Sequence, residues 1–205
     1  MMEFPKTAGQ CKYMLALRSQ KPIIVGTGPA GSGKTMLACQ VGIEHIYNSF
    51  RGKVILTRPI VAADEDMGYL PGDIDKKMEP WTKPAFDIFE KYLSHNQLER
   101  CIMIEPLGYM RGRTFNNTVI IADEMQNSTP NQMKMLLTRV GQGTKMVVTG
   151  DLKQHDRKYE ENGLKDICER ISGKNHKRIE YIQFEFKDIE RSPLVRDILE
   201  IYGDS

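Results

Sequence analysis

The sequence predicts an α/β fold of three layers, α/β/α, around a mainly parallel central sheet. Two observations carry that expectation. Short apolar runs such as Pro22-Ile23-Ile24-Val25-Gly26, Val54-Ile55-Leu56-Thr57, Thr118-Val119-Ile120-Ile121-Ala122 and Met146-Val147-Val148-Thr149 recur along the chain. Uniformly apolar runs of that length suit strands covered on both faces. Between them lie stretches with apolar residues at helical spacing, and strands alternating with helices produce parallel sheets.

Taken in order, residues 7–18 carry Tyr13, Met14, Leu15 and Leu17 among polar residues and predict a short helix. The first strand ends at Gly26, and a helix follows from Lys34 to about Tyr47, with Leu37, Val41 and Ile46 on its apolar side. The second strand stops at Arg58-Pro59; a polar stretch with Leu70-Pro71-Gly72-Asp73 and a helix between Pro84 and Leu93 come next. Cys101-Ile102-Met103-Ile104 predicts a further strand. Thr129 and Pro130 read as N-cap and first position of a helix through Arg139. A helix near 161–171, a strand at 179–184 and a final helix from Pro193 complete the expectation. No repeat or linker interrupts the chain, so residues 1–205 are expected to form one domain.

Composition sets limits on function. Charged residues make up 27% of the 205, and the formal net charge is +2. So small an excess argues against a protein held to nucleic acid by bulk charge; any such site is a local patch or is assembled from several subunits. Cys11, Cys39, Cys101 and Cys168 are widely spaced, without a C-x-x-C pair, and read as reduced thiols. His45, His95, His155 and His176 show no metal-ligand spacing. There is no apolar run long enough to span a bilayer and no apolar leader at the start, so a cytoplasmic protein with no membrane role is expected.

The chemistry is concentrated in Gly28-Pro29-Ala30-Gly31-Ser32-Gly33-Lys34-Thr35, which satisfies G-x-x-x-x-G-K-[ST] between a predicted strand and a predicted helix. Glycines allow consecutive backbone N–H groups to turn inward and form an anion-binding concavity at a helix start. Lys34 is placed to reach the β- and γ-phosphates, and the Thr35 hydroxyl to coordinate Mg²⁺. Gly26-x-Gly28-x-x-Gly31 also matches a dinucleotide fingerprint. That alternative requires an acidic residue at the end of the second strand, where Thr57-Arg58 stands, and leaves Lys34 and Thr35 without a role.

Two further strand ends fit a phosphate site. Asp123 and Glu124 close the strand from Thr118; behind such a loop an Asp holds Mg²⁺ and a following Glu polarises a water, which marks a hydrolase rather than a kinase. Thr149-Gly150-Asp151-Leu152-Lys153-Gln154 closes the next strand, and Gln154 is able to hydrogen-bond both a γ-phosphate and the attacking water. A simple turn built on Gly150-Asp151 is the plainer alternative.

With these motifs assembled, the chain resembles the PhoH family of P-loop ATPases, which are similar to the first RecA-like domain of superfamily-one helicases. The resemblance runs from about Lys6 to Tyr202. Its residues are Lys6-Thr7-Ala8-Gly9-Gln10, Gly26 to Thr35, Leu56-Thr57-Arg58-Pro59, Leu70-Pro71-Gly72-Asp73, Met110-Arg111-Gly112-Arg113-Thr114, Asp123-Glu124-Met125-Gln126-Asn127 and Thr149 to Gln154. The resemblance implies ATP and Mg²⁺ as ligands, with Gln10 reading adenine, Asp123 on the metal, Glu124 as catalytic base and Gln154 sensing the γ-phosphate. It further implies that Arg191 contacts the γ-phosphate, where a guanidinium stabilises developing charge. The sequence departs from many relatives at Met125 and Ser192, where they have Ala and His, and in the loop 157–162.

Arg58, Arg111 and Arg113 follow predicted strand ends, and Tyr109 offers a stacking surface, so these four are candidates for nucleic-acid contact. Their other reading is service to ATP or to a subunit contact. One RecA-like unit supplies only one wall of a site that helicases close with two. The expectation is therefore a homo-oligomeric ATPase, such as a hexameric ring, acting on single-stranded RNA or DNA, with Arg111, Arg113, Arg139 or Arg191 completing a neighbour's site. The alternatives are a nucleotide-gated switch or scaffold controlled by a protein partner and, disfavoured by Glu124 and Gln154, a small-molecule kinase.

Overall fold

A computed structural model describes residues 5–49, 51–59, 83–154 and 161–190, together with Leu194 and Ile201. Six strands form one sheet: β1 (Ile23–Thr27), β2 (Lys53–Thr57), β3 (Ile102–Ile104), β4 (Thr118–Ala122), β5 (Lys145–Gly150) and β6 (Ile179–Gln183). Their order is β3-β2-β4-β5-β1-β6, and every pairing is parallel. The helices are α1 (Ala8–Arg18), α2 (Lys34–Asn48), a segment over 83–90 termed α3, α4 (His95–Cys101), α5 (Pro130–Leu137) and α6 (Gly163–Ile171).

The strands are buried because each feeds two cores. Successive side chains of a strand point to opposite faces. Ile24, Val54, Leu56, Val119, Ile121 and Val147 therefore join Tyr13, Leu17, Leu37, Ile43 and Phe89 from α1, α2 and α3 on one face. Val25, Ile55, Ile120, Ala122, Met146 and Val148 join Met133, Leu136, Leu164 and Cys168 from α5 and α6 on the other. The result is the expected three-layer α/β/α arrangement, and among the described residues the sheet is wholly parallel.

Local capping explains where several helices begin. The Thr129 side chain accepts from the Gln132 N–H while Gln132 answers back to the Thr129 N–H, with Pro130 at the start of α5. Both partners satisfy donors that the first helical turn would otherwise leave unpaired. Ser94 and Gln97 form the same reciprocal cap on α4. That helix is a correction: it absorbs Cys101, expected in a strand, and β3 begins at Ile102. With only Leu98 and Cys101 buried, α4 lacks an apolar stripe to announce it. The segment 70–73 lies outside the described residues, as does the final helix from Pro193 apart from Leu194 and Ile201, which are helical.

Parallel pairing brings the C-terminal ends of β1, β4 and β5 to one edge of the sheet. β5 lies between β1 and β4, with Gly26 level with Thr149 and Ala122 level with Val148. The loops that follow these three strands carry the phosphate-loop, acidic and Gly-Asp-x-x-Gln motifs.

Candidate nucleotide site

The loop between β1 and α2 has the backbone its glycines foretell. Gly28, Gly31 and Gly33 adopt φ of 146°, 81° and 83°, in the region that side-chain-bearing residues avoid. At Gly28 the constraint is double, since a Cβ there would lie 2.6 Å from Phe184 Cβ. Gly33 caps α2 without any side-chain hydrogen bond. The first-turn N–H groups of α2 are thus directed into the loop, where a phosphate is the natural acceptor.

Lys34 is 8% exposed and lies along the loop: its ammonium donates to Gly28 O (2.7 Å), Pro29 O (2.8 Å) and Ser32 Oγ (3.2 Å). Burial lowers its pKa, opposed by the nearby carboxylates of Asp151, Asp123 and Glu124. Ser32 in turn donates to Pro29 O at 2.8 Å, and Ala30 and Gly31 lie exposed at the loop's outer rim.

The next residue, Thr35, donates its hydroxyl to Asp123 Oδ2 at 2.9 Å. The Thr149 hydroxyl of β5 donates to the other oxygen of the same carboxylate. Thr35 and Asp123, 88 positions apart, are therefore in direct contact. A hydroxyl and one carboxylate, with the remaining ligands from phosphates and water, form the kind of incomplete oxygen set that Mg²⁺ takes. Among the described residues there is no cluster of three or more His, Cys, Asp or Glu that would make a self-sufficient metal cage. The donor chemistry fits Mg²⁺ brought by a nucleotide.

Glu124 is held in the left-handed region, with φ 54° and ψ 36°. Such a conformation costs about 1–3 kcal/mol for a residue with a side chain, and it is typical of functional sites. Its carboxylate accepts from Gln126 Nε2 at 2.6 Å, and Gln126 Oε1 accepts from the Asp151 N–H at 3.1 Å. Gln126 is 1% exposed, so this amide couples the acidic motif to the loop after β5 inside the protein. Gln126 and Thr149 stand within the sequence motifs without a role of their own, because Gln126 accepts from the Asp151 N–H after β5 and Thr149 donates to Asp123 after β4, 25 and 26 positions away. Gln154, by contrast, is exposed at the end of the Asp151 turn, its N–H donating to Asp151 O at 3.3 Å.

Gln10 is buried on the other flank of the loop. Its Nε2 donates to Ser32 O at 3.3 Å and its Oε1 accepts from the Lys6 N–H at 2.8 Å. The side chain expected to read adenine is thus docked on the phosphate loop itself.

The four candidates for nucleic-acid contact divide. Tyr109 is 57% exposed and Arg111 is exposed beside it. Arg58 is half-buried at the end of β2. Arg113 pairs with Glu105 at 2.7 Å and stacks over Phe115 at 4.7 Å, so its charge is engaged within the chain. Arg139 donates to Met135 O, Arg113 O and Thr138 Oγ1. Arg191 lies outside the described residues, as do His155, Trp81 and the loop 157–160.

Fold and site together define a P-loop NTPase with a RecA-like sheet, in which a strand separates the phosphate loop from the acidic strand. The family model described as PhoH-like protein matches residues 4–203, and the chain belongs to that family. It is 42% identical over 203 residues to a PhoH-like protein of Bacillus subtilis, covering 96% of this chain and 63% of that one. To Protein PhoH of Escherichia coli K12 it is 37% identical over 206 residues, covering 97% of this chain and 57% of that one. The chain therefore spans roughly three fifths of these relatives.

Among solved structures, the large terminase of a thermophilic bacteriophage in complex with ADP aligns with TM-score 0.55 at 12% identity, covering 96% of this chain and 50% of that one. The Sulfolobus solfataricus SWI2/SNF2 ATPase core in complex with double-stranded DNA aligns with TM-score 0.51 at 10% identity, covering 92% and 46%. At such identities the likeness is one of fold. Among the described residues no helix is long and apolar enough to cross a membrane.

Proposed function

We propose that this chain is a Mg²⁺-dependent ATP hydrolase whose turnover is coupled to single-stranded RNA or DNA in a homo-oligomer. The observation that carries the hydrolase reading is the join of Thr35 to Asp123 at 2.9 Å, with Glu124 oriented beside them by Gln126. In this reading the loop N–H groups and Lys34 hold the phosphates, while Thr35 and Asp123 hold Mg²⁺. The metal, when bound, neutralises phosphate charge. Glu124 takes a proton from the water that attacks the γ-phosphoryl group, and ADP and phosphate are released. Gln154, exposed at the mouth, and Arg191 are assigned to the γ-phosphate; Gln10 is assigned to adenine.

Coupling to a single strand is supported by the exposed Tyr109 and Arg111, which pair a stacking face with a cation. In the proposed oligomer a second copy would supply the wall opposite this nucleotide-binding sheet. The test is ATP turnover with single-stranded RNA, single-stranded DNA and duplex, with Lys34→Ala as blank. Stimulation by a single strand, reduced in Tyr109→Ala and Arg111→Ala, is expected. A flat response to every nucleic acid would overturn the coupling and favour a protein-gated switch.

A further inference from the structure

Three segments far apart in sequence are stitched together beside the phosphate loop. The chain after β6 runs between that loop and the start of α1: the Phe184 N–H donates to Thr27 O at 2.7 Å and the Glu190 N–H to Gly31 O at 3.1 Å. Phe184 also meets Tyr13 of α1 edge-on, ring centroids 5.2 Å apart. At the centre of the seam is Asp188, 2% exposed. Its Oδ1 accepts from the Gly9 N–H at 3.1 Å and its Oδ2 from the Glu185 N–H at 3.0 Å, and the Thr7 hydroxyl bonds the same carboxylate. Lys6 closes the outside of the seam on Glu190 at 2.8 Å.

Asp188 therefore caps α1 from a distant segment. A carboxylate suits the unpaired N–H groups and positive end of a helix start, and bonds to a charged acceptor are the stronger kind. Gly9 is required by proximity, because a Cβ there would lie 2.4 Å from Asp188 Oδ2. The residue after Gly9 is Gln10. An amide carries two donor hydrogens and two pairs of acceptor electrons. Gln10 spends one donor on Ser32 O and one acceptor position on the Lys6 N–H. One donor and one acceptor position remain, the pattern that complements the N6 amino group and N7 of adenine. Guanine presents two acceptors at those positions and leaves the amide oxygen opposed to an oxygen.

We propose that Asp188 is a positioning residue for base recognition: its buried carboxylate fixes the first turn of α1, and with it the Gln10 amide, against the phosphate loop. This rests on the ATPase reading and deepens it by naming what sets the choice of base. Asp188 touches neither phosphate nor base in this scheme; it acts through Gln10.

The experiment compares kcat and KM for ATP and for GTP in wild type, Asp188→Asn, Gly9→Ala and Gln10→Ala, with thermal unfolding of each. Asp188→Asn is expected to raise the KM for ATP roughly tenfold, to erode the ATP-over-GTP preference by a similar factor and to leave kcat within about threefold. Gly9→Ala displaces the carboxylate without altering it, and places a better helix former in α1. It is expected to lose discrimination in the same way, whatever Asp188→Asn does to folding. In a Gln10→Ala background, Asp188→Asn should erode the base preference no further. Unchanged KM and base preference in folded Asp188→Asn and Gly9→Ala would overturn the role of Asp188 alone. Wild-type turnover equal to that of Lys34→Ala would overturn the ATPase reading and this proposal together.

Discussion

The side chain of Gln126 donates to Glu124 at 2.6 Å while accepting from the Asp151 N–H at 3.1 Å. It joins the residue assigned to the attacking water to the loop that ends in Gln154. In the proposed scheme, a change in that loop on binding a γ-phosphate would reach Glu124 through this buried amide. Gln126→Met keeps the size of the side chain and removes both bonds. It leaves the Asp151 N–H without its acceptor, expected to cost about 1–3 kcal/mol of stability. Turnover is expected to fall roughly tenfold, with little change in the KM for ATP. Urea unfolding and steady-state kinetics on the same preparation check both parts; full turnover in a folded Gln126→Met protein would disconnect the amide from Glu124.

Glu124→Gln removes the carboxylate proposed as the base and preserves the shape. General-base assistance contributes about 10²–10⁴ in rate, so kcat is expected to fall by at least roughly a hundredfold. Nucleotide affinity, assigned in this scheme to the phosphate loop, should stay within a few-fold. Equilibrium binding of ATP alongside phosphate release separates the two effects. Loss of binding and turnover in parallel would reassign Glu124 to holding the loop.

Gly28→Ala tests the backbone of the loop. With φ at 146° and a would-be Cβ 2.6 Å from Phe184, the variant meets both an unfavourable backbone and a packed neighbour. A strained backbone position costs about 1–3 kcal/mol, so a lowered midpoint of unfolding is expected together with weaker ATP binding. Unchanged stability would mean that the loop is free to relax away from the segment after β6.

The seam at Asp188 makes stability depend on acid. Burial by itself raises that carboxyl, but the Glu185 N–H, the Thr7 hydroxyl and the Gly9 N–H outweigh it and hold the pKa below its ordinary value. The unfolded chain releases this proton near pH ~3.9. A lowered folded pKa contributes stability that is fully present above that pH and disappears as pH falls through the folded value. The stability gap between wild type and Asp188→Asn should thus be constant from about pH 5 to 7 and close below about pH 4. A gap that persists into stronger acid, in thermal unfolding across pH, would contradict the charged cap.

How much of this is legible in the sequence follows from the range of each interaction. The phosphate loop is readable because three positive-φ positions in six residues demand glycine and chemistry demands Lys34 and Thr35 beside them. Strands covered on both faces announce themselves as unbroken apolar runs. Helix α4 does not, because its signal is a polar cap, Ser94 with Gln97, over only two buried side chains. Asp188 is unreadable for another reason: in Phe186-Lys187-Asp188-Ile189-Glu190 it is one charge among several, and its partner Gly9 lies 179 positions away. The same applies to Gln126, whose acceptor bond runs to the end of β5, 25 positions along the chain. Arg113 reads as a free cation in the sequence because Glu105 and Phe115 reach it only once the chain has turned.

The central claim, that these loops form a hydrolytic ATP site, is tested most directly by release of inorganic phosphate from ATP and Mg²⁺ without nucleic acid. Wild type should release phosphate continuously, while Lys34→Ala and Glu124→Gln stay at the level of buffer, and Glu124→Gln alone of the two variants retains ATP. Equal phosphate release by all three proteins would contradict it.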